Sequence, residues 1–308
     1  MVSPTDSFRG VIPPVITPLT TDGELDVASY AAVLERLIDA GVDGLFLLGS
    51  SGEAAFSTDA RRREILAEGM RIVDERVPVF AGVIDTQTER VVAQARTAQE
   101  LGVDALVATA PFYALGGPEV VERHFRVIRE RVDLPLFAYD IPVCVHTKLE
   151  AAMLLRLGSE GIIDGVKDSS GDDVAFRQLA RANAAAGRPL ALLTGHEVVV
   201  DGAYLSGADG AVPGLANVSP EPFVEQWRAA QAGDWDTVRL LQDELADLMR
   251  IVAVTSGVSG YGAGVGSFKT ALQLMGVIRT NTMTEPVAAL EGENVRAIAA
   301  VLEEAGLL

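Results

Sequence analysis

Two kinds of segment alternate along the chain: short, wholly apolar runs, and longer stretches whose apolar residues recur every three or four positions. A recurring junction punctuates them, in which Gly and then Asp precede an apolar run. It reads Gly41-Val42-Asp43-Gly44-Leu45-Phe46-Leu47-Leu48 and recurs as Gly102-Val103-Asp104-Ala105-Leu106-Val107. It appears again as Gly161-Ile162-Ile163-Asp164-Gly165-Val166 and as Gly207-Ala208-Asp209-Gly210-Ala211-Val212. Gly after a helix is the usual left-handed stop. A continuous apolar run suits a strand covered on both faces, as in parallel sheets. Further strands are predicted over 11–17, 79–83, 136–139 and 190–194, which makes eight. Helices are predicted between them over 27–40, 58–76, 88–101, 118–132, 149–157, 172–186 and 197–206. Strands alternating with helices imply right-handed βαβ units. Eight units imply a closed (β/α)8 TIM barrel, with an open doubly wound sheet as the alternative. Beyond Pro220 the pattern is purely helical, over 221–232, 235–251, 265–274 and 285–304. The expected organisation is a barrel over 1–219 and a helical C-terminal extension over 220–308 packed on it.

Composition narrows the function classes. The 308 residues carry a formal net charge of −18, which disfavours nucleic acid and anionic membrane surfaces as partners. No apolar run approaches the roughly 18 residues of a membrane span. Residues 1–10 are polar and lack an apolar signal core. The single cysteine, Cys144, cannot form an internal disulfide, which fits a reducing, cytoplasmic location. With only His124, His146 and His196, and no paired ligand motif, no metal site is expected.

Barrel enzymes carry their active sites at the C-terminal strand ends. Lys167 directly follows the run ending in Val166. Burial of an amine there favours its neutral form, the nucleophile that condenses with a ketone. The plain alternative is a lysine stretching to solvent. Tyr139 ends the preceding strand, within reach of a substrate held by Lys167 and suited to proton transfer. Gly49-Ser50-Ser51-Gly52-Glu53 follows the second strand, where two hydroxyls and closely spaced amides suit a carboxylate. Tyr113, after the fourth strand, is a second candidate proton relay. Gly195, after the seventh, would let substrate approach the backbone. Each of these also has an ordinary structural reading as loop or packing residue.

Taken together, five motifs resemble the dihydrodipicolinate synthase / N-acetylneuraminate lyase family of class I, Schiff-base-forming lyases. They are Gly49-Ser50-Ser51-Gly52-Glu53, Pro111-Phe112-Tyr113, Tyr139-Asp140-Ile141-Pro142, Gly165-Val166-Lys167-Asp168-Ser169-Ser170-Gly171 and Gly210-Ala211-Val212-Pro213-Gly214-Leu215-Ala216-Asn217. Their order and spacing match over 10–218, and more loosely in the helical tail. The resemblance implies that Lys167 forms the imine and Tyr139 shuttles protons. It implies that Ser50 and Ser51 bind the substrate carboxylate and relay protons, and that Gly195 and Val212 line the pocket. Tyr113 would reach in from a neighbouring subunit of a homotetramer, a dimer of dimers. No cofactor is implied beyond the covalent imine on Lys167. The expected substrates are pyruvate, a 2-oxo acid, and an aldehyde.

The chain departs from dihydrodipicolinate synthases at Cys144, which fills a slot usually held by Arg; a thiol cannot replace that bidentate cation. The Lys167-Asp168-Ser169 run resembles relatives acting on 2-keto-3-deoxy sugar acids or related hydroxy-oxo acids, with Ser169, His196 and Glu197 as candidates to meet substrate hydroxyls. The expectation is therefore an aldolase for such acids. A 4-hydroxy-tetrahydrodipicolinate synthase, a sugar-acid dehydratase using the same imine, a metal-dependent aldolase and a non-catalytic 2-oxo-acid sensor are the alternatives.

Overall fold

The computed structural model describes residues 8–308, so most of the N-terminal stretch read above lies outside the described residues. Eight parallel strands form the barrel: β1 (Gly10–Val11), β2 (Leu45–Leu47), β3 (Val79–Gly82), β4 (Ala105–Thr109), β5 (Leu136–Asp140), β6 (Gly165–Asp168), β7 (Ala191–Thr194) and β8 (Gly210–Ala211). They pair in the order β1-β8-β7-β6-β5-β4-β3-β2. The ring closes where Phe46 N donates to Pro13 O and Val15 N donates to Phe46 O, each at 2.9 Å. The expected first strand, 11–17, is cut short because Pro13 and Pro14 have no N–H to continue the ladder. The outer helices are α1 (Val27–Asp39), α2 (Asp59–Val73), α3 (Thr88–Glu100), α4 (Pro118–Arg131), the single turn α5 (Pro142–Val145), α6 (Ala151–Ser159), α7 (Asp173–Ala185) and α8 (Val200–Ser206).

The junction motif has a physical basis. Its four glycines have φ of +84°, +81°, +69° and +101°, the region that a side chain disfavours. The aspartate that follows each one stitches its strand to the preceding strand. Asp43 accepts from Val11 N at 2.8 Å, Asp104 from Val79 N at 2.8 Å, Asp164 from Leu136 N at 2.9 Å and Asp209 from Leu192 N at 2.9 Å. These carboxylates satisfy strand-start donors that have no ladder partner. Phe8, Phe80 and Phe137 pack edge to face with ring centres 5.1–5.7 Å apart. Phe8 precedes β1, and the other two lie early in their strands. The N-terminal end of the barrel is thus an apolar floor, and polar chemistry is left to the opposite end.

The tail comprises α9 (Pro220–Ala232), α10 (Trp235–Leu248), α11 (Arg250–Ala253), α12 (Gly260–Leu274) and α13 (Glu293–Glu304). Its side chains Phe223, Leu245, Phe268, Leu272, Ile298 and Leu302 join the same buried cluster as the barrel. Several sequence-based boundaries move. The helix expected from 197 starts at Val200, because the Glu197 carboxylate accepts from Leu215 N and its carbonyl accepts from Gln242. The helix expected over 285–304 starts only at Glu293, after an irregular stretch containing Pro286. Conversely, α12 begins five residues before the expected 265, capped by Ser259 accepting from Gly262 N at 3.1 Å.

Candidate active site

Tyr139 on β5 and Lys167 on β6 are register partners at neighbouring strand ends. Both side chains face the barrel mouth and both are buried, with 3% and 5% exposure. Lys167 Nζ lies 3.6 Å from the centre of the Tyr139 ring and 5.5 Å from that of Phe46. Phe46 comes from β2, its ring edge-on to Tyr139 at 6.3 Å. An aromatic wall therefore shields the amine from bulk water. Lys167 Nζ also donates to Ser169 Oγ at 3.2 Å.

The loop after β2 brings the hydroxyls in. Leu48 and Glu53 both take φ of +56°, a strained backbone for side-chain-bearing residues that wraps the loop over the mouth. Ser50 Oγ comes within 3.5 Å of Tyr139 Oη, a long contact that leaves room for a shared partner. Ser51 follows it, partly buried. The loop is braced from the C-terminal tail. Tyr261 Oη on α12 donates to Ser50 O. Lys269, fully buried on the same helix, pairs with Glu53 and donates to Thr282 O at 2.8 Å. The other Glu53 oxygen accepts from Thr284 N at 2.8 Å. Burial raises the Tyr261 phenol pKa and lowers that of Lys269, while Glu53 pulls Lys269 back up.

Gly195 follows β7, and its N–H donates to Asp168 O at 2.6 Å. A Cβ added there would meet Ser169 Oγ at 2.1 Å, so a side chain would displace the hydroxyl beside the amine. Val212, buried, follows β8 and donates to Thr194 O at 2.7 Å. Glu197 lies close enough to Lys167 for the amine's charge to act on it. Burial pushes its carboxyl up to about 7, against the pull of the Leu215 N–H and Lys167. His196 turns away to Asp173, 3.0 Å off at the surface. Cys144 is an exposed residue on α5 beyond Tyr139; packing around its thiol raises its pKa, and the Lys167 charge opposes this.

Lys167, Tyr139, Ser50, Ser51, Ser169, Gly195 and Val212 thus sit on the strand ends and loops of one mouth. Tyr113 does not join them: it is 93% exposed, with φ of +72°. Phe46, Tyr261 and Lys269 were not among the residues singled out from the sequence. Phe46 is one apolar residue inside an apolar run, and the other two lie more than 200 positions from the loop they hold. A cavity of about 280 Å³ between α2 and α3, lined by Arg62, Arg63, Arg90 and Gln94, lies outside the barrel and away from Lys167. Among the described residues no group of three or more His, Cys, Asp or Glu is arranged to hold a metal, and no helix is long and apolar enough to cross a membrane.

Comparison with known proteins gives a consistent family match. The model of the dihydrodipicolinate synthetase family matches residues 7–305. A 4-hydroxy-tetrahydrodipicolinate synthase of Phenylobacterium zucineum is 30% identical over 303 residues, 98% of each chain. A probable 2-dehydro-3-deoxy-D-pentonate aldolase, YjhH of Escherichia coli, is 34% identical over 249 residues, 80% of this chain and 82% of that one. Among solved structures, YagE of E. coli K12, a prophage protein of the dihydrodipicolinic acid synthase family in complex with pyruvate, superposes with a TM-score of 0.92. It is 28% identical, covering 98% of this chain and 99% of that one.

Proposed function

Since this chain belongs to the dihydrodipicolinate synthetase family, a family of lyases acting on pyruvate, we propose that it cleaves or forms a 2-keto-3-deoxy sugar acid through an imine on Lys167. The observation that carries the reading is the buried Lys167 amine 3.6 Å from the Tyr139 ring at paired strand ends.

In the cleavage direction, Lys167 attacks the substrate ketone, and loss of water leaves a protonated imine. Tyr139 takes the proton of the C4 hydroxyl. The C3–C4 bond breaks, its electron pair flows into the imine to give an enamine, and an aldehyde departs. Protonation of the enamine and hydrolysis release pyruvate and restore the amine. Ser50 and Ser51 hold the carboxylate and complete the proton path with Tyr139. The imine is itself the electron sink, so the scheme needs no metal or organic cofactor.

Two observations support the sugar-acid substrate: the 34% identity to the probable pentonate aldolase, and Cys144, which has no cation to offer a second carboxylate. A second reading, a 4-hydroxy-tetrahydrodipicolinate synthase, draws on the similarity to relatives of that name. The family resemblance suggests a homotetramer, in which the exposed Tyr113 phenol would serve a neighbouring subunit. Turnover of a panel of 2-keto-3-deoxy acids, beside pyruvate plus aspartate semialdehyde, decides the substrate. The proposal expects pyruvate release from the panel. Product only from the semialdehyde pair would refute the sugar-acid assignment.

A further inference from the structure

The strands carrying Tyr139 and Lys167 each end one residue later in an aspartate, and Asp140 and Asp168 are themselves register partners. Side chains alternate across a strand. With the phenol and the amine facing the mouth, the two carboxylates face outward, against the helices. Both are buried, with 0% and 5% exposure. Two adjacent buried carboxylates repel. Burial raises the Asp140 pKa, and the charge of Asp168 pushes it the same way. Lys148, in the loop leading to α6, answers both charges. Its amine pairs with Asp140 Oδ2 and lies 3.7 Å from Asp168 Oδ2. Backbone donors hold the other two oxygens: Leu149 N on Asp140 at 3.1 Å and Ser170 N on Asp168 at 2.8 Å.

We propose that Lys148 is a positioning residue that fixes the spacing of the Tyr139 phenol and the Lys167 amine by clamping together the carboxylates that follow them. The inference rests on the imine reading above and extends it outside the barrel wall. Lys148 touches no substrate; it acts through the two strand ends. Without it the paired carboxylates part, and the change is transmitted one residue along each strand to the reacting groups. Catalytic geometry is unforgiving at this scale: a displacement of about 1 Å can cost about a hundredfold in rate.

The test is the rate at which borohydride traps pyruvate on the full-length protein, read beside kcat, KM and the melting temperature. Lys148→Met keeps the aliphatic stem and removes the charge. At a temperature where the variant stays folded, trapping and kcat should fall roughly 10- to 100-fold with KM little changed. Adding Asp140→Asn should recover most of the rate, because one carboxylate is gone and the new amide can donate to Asp168. Lys148→Arg should retain most of it. A folded Lys148→Met protein that traps at the wild-type rate, or a double variant no faster than the single, overturns the clamp. Should the Met variant fail to fold, Lys148→Arg against Lys148→Gln carries the same test: Arg faster supports the clamp and equal rates refute it. Wild-type protein that traps no pyruvate removes the imine reading and the clamp together, whereas trapping in the wild type with unchanged rates in the variants removes the clamp alone.

Discussion

Replacing Lys269 with Met tests how the helical tail supports the loop after β2, which we propose binds the substrate carboxylate. Lys269 is fully buried, and its pairing with Glu53 ties α12 to the loop that bears Ser50 and Ser51. Met matches the length of the stem but leaves the Glu53 carboxylate buried without its cation, and leaves Thr282 O without its donor. Breaking a buried ion pair on one side costs about 3–5 kcal/mol. At roughly 2–4 °C per kcal/mol for a large domain, melting should fall by about 6–20 °C. Because Glu53 sets one end of the loop, KM for the 2-oxo acid should rise more than kcat falls. The cause is separable. Adding Glu53→Gln to Lys269→Met removes the bare charge while the new amide oxygen still accepts from Thr284 N, so a good part of the lost stability should return. Calorimetry at fixed scan rate and steady-state kinetics on the wild type, the single variant and the double variant suffice. A Lys269→Met protein with unchanged melting and KM, or a double variant no more stable than the single, would show that this pair does not hold the loop.

Tyr139→Phe keeps the ring beside Lys167 and removes the hydroxyl, so kcat should fall about 10²- to 10⁴-fold while the fold is retained; stopped-flow kinetics check this, and a fall below tenfold would assign the proton transfer elsewhere. Gly195→Ala should drive Ser169 Oγ from the amine, raising KM with little loss of stability, because the added Cβ would lie 2.1 Å from that oxygen; unchanged KM would show the mouth to be looser than described. Glu197 holds its proton up to about 7 in the folded chain, against 4.5 for an ordinary glutamate. Between those values the native state binds more protons than the unfolded state, so stability falls as pH rises across the window and levels off above it. Glu197→Gln should flatten the melting temperature in that window, and parallel curves for the two proteins would contradict the assignment.

The sequence made the barrel legible because its signals are local. A glycine stop, an aspartate that stitches neighbouring strands and an apolar run recur at every second strand, and each part does its work within one turn or one strand spacing. Lys167 and Tyr139 were legible for the same reason: each ends an apolar run, and consecutive strands of a parallel barrel are neighbours. The partners that complete the mouth were not, because they come from distant segments. Nothing near Lys269 marks it as the counter-ion of Glu53, and Tyr261 lies in a glycine-rich stretch whose helix was expected to start only after it. Phe46 reads as one more strand residue until the inward face of β2 is known. Glu197 was read inside a helix, yet it sits before one, because its carboxylate is engaged by Leu215 N. Tyr113 presents the reverse case: one chain leaves it at the surface, so a role in the site would require another copy.

Only three lysines, Lys148, Lys167 and Lys269, share the chain, so reductive trapping has a clear readout. Full-length protein is incubated with pyruvate, reduced with borohydride, digested and mapped by mass spectrometry. The account predicts one adduct, on the peptide containing Lys167, and none after Lys167→Arg. An adduct on Lys148 or Lys269, or no adduct in a protein that still turns over its substrate, would contradict it.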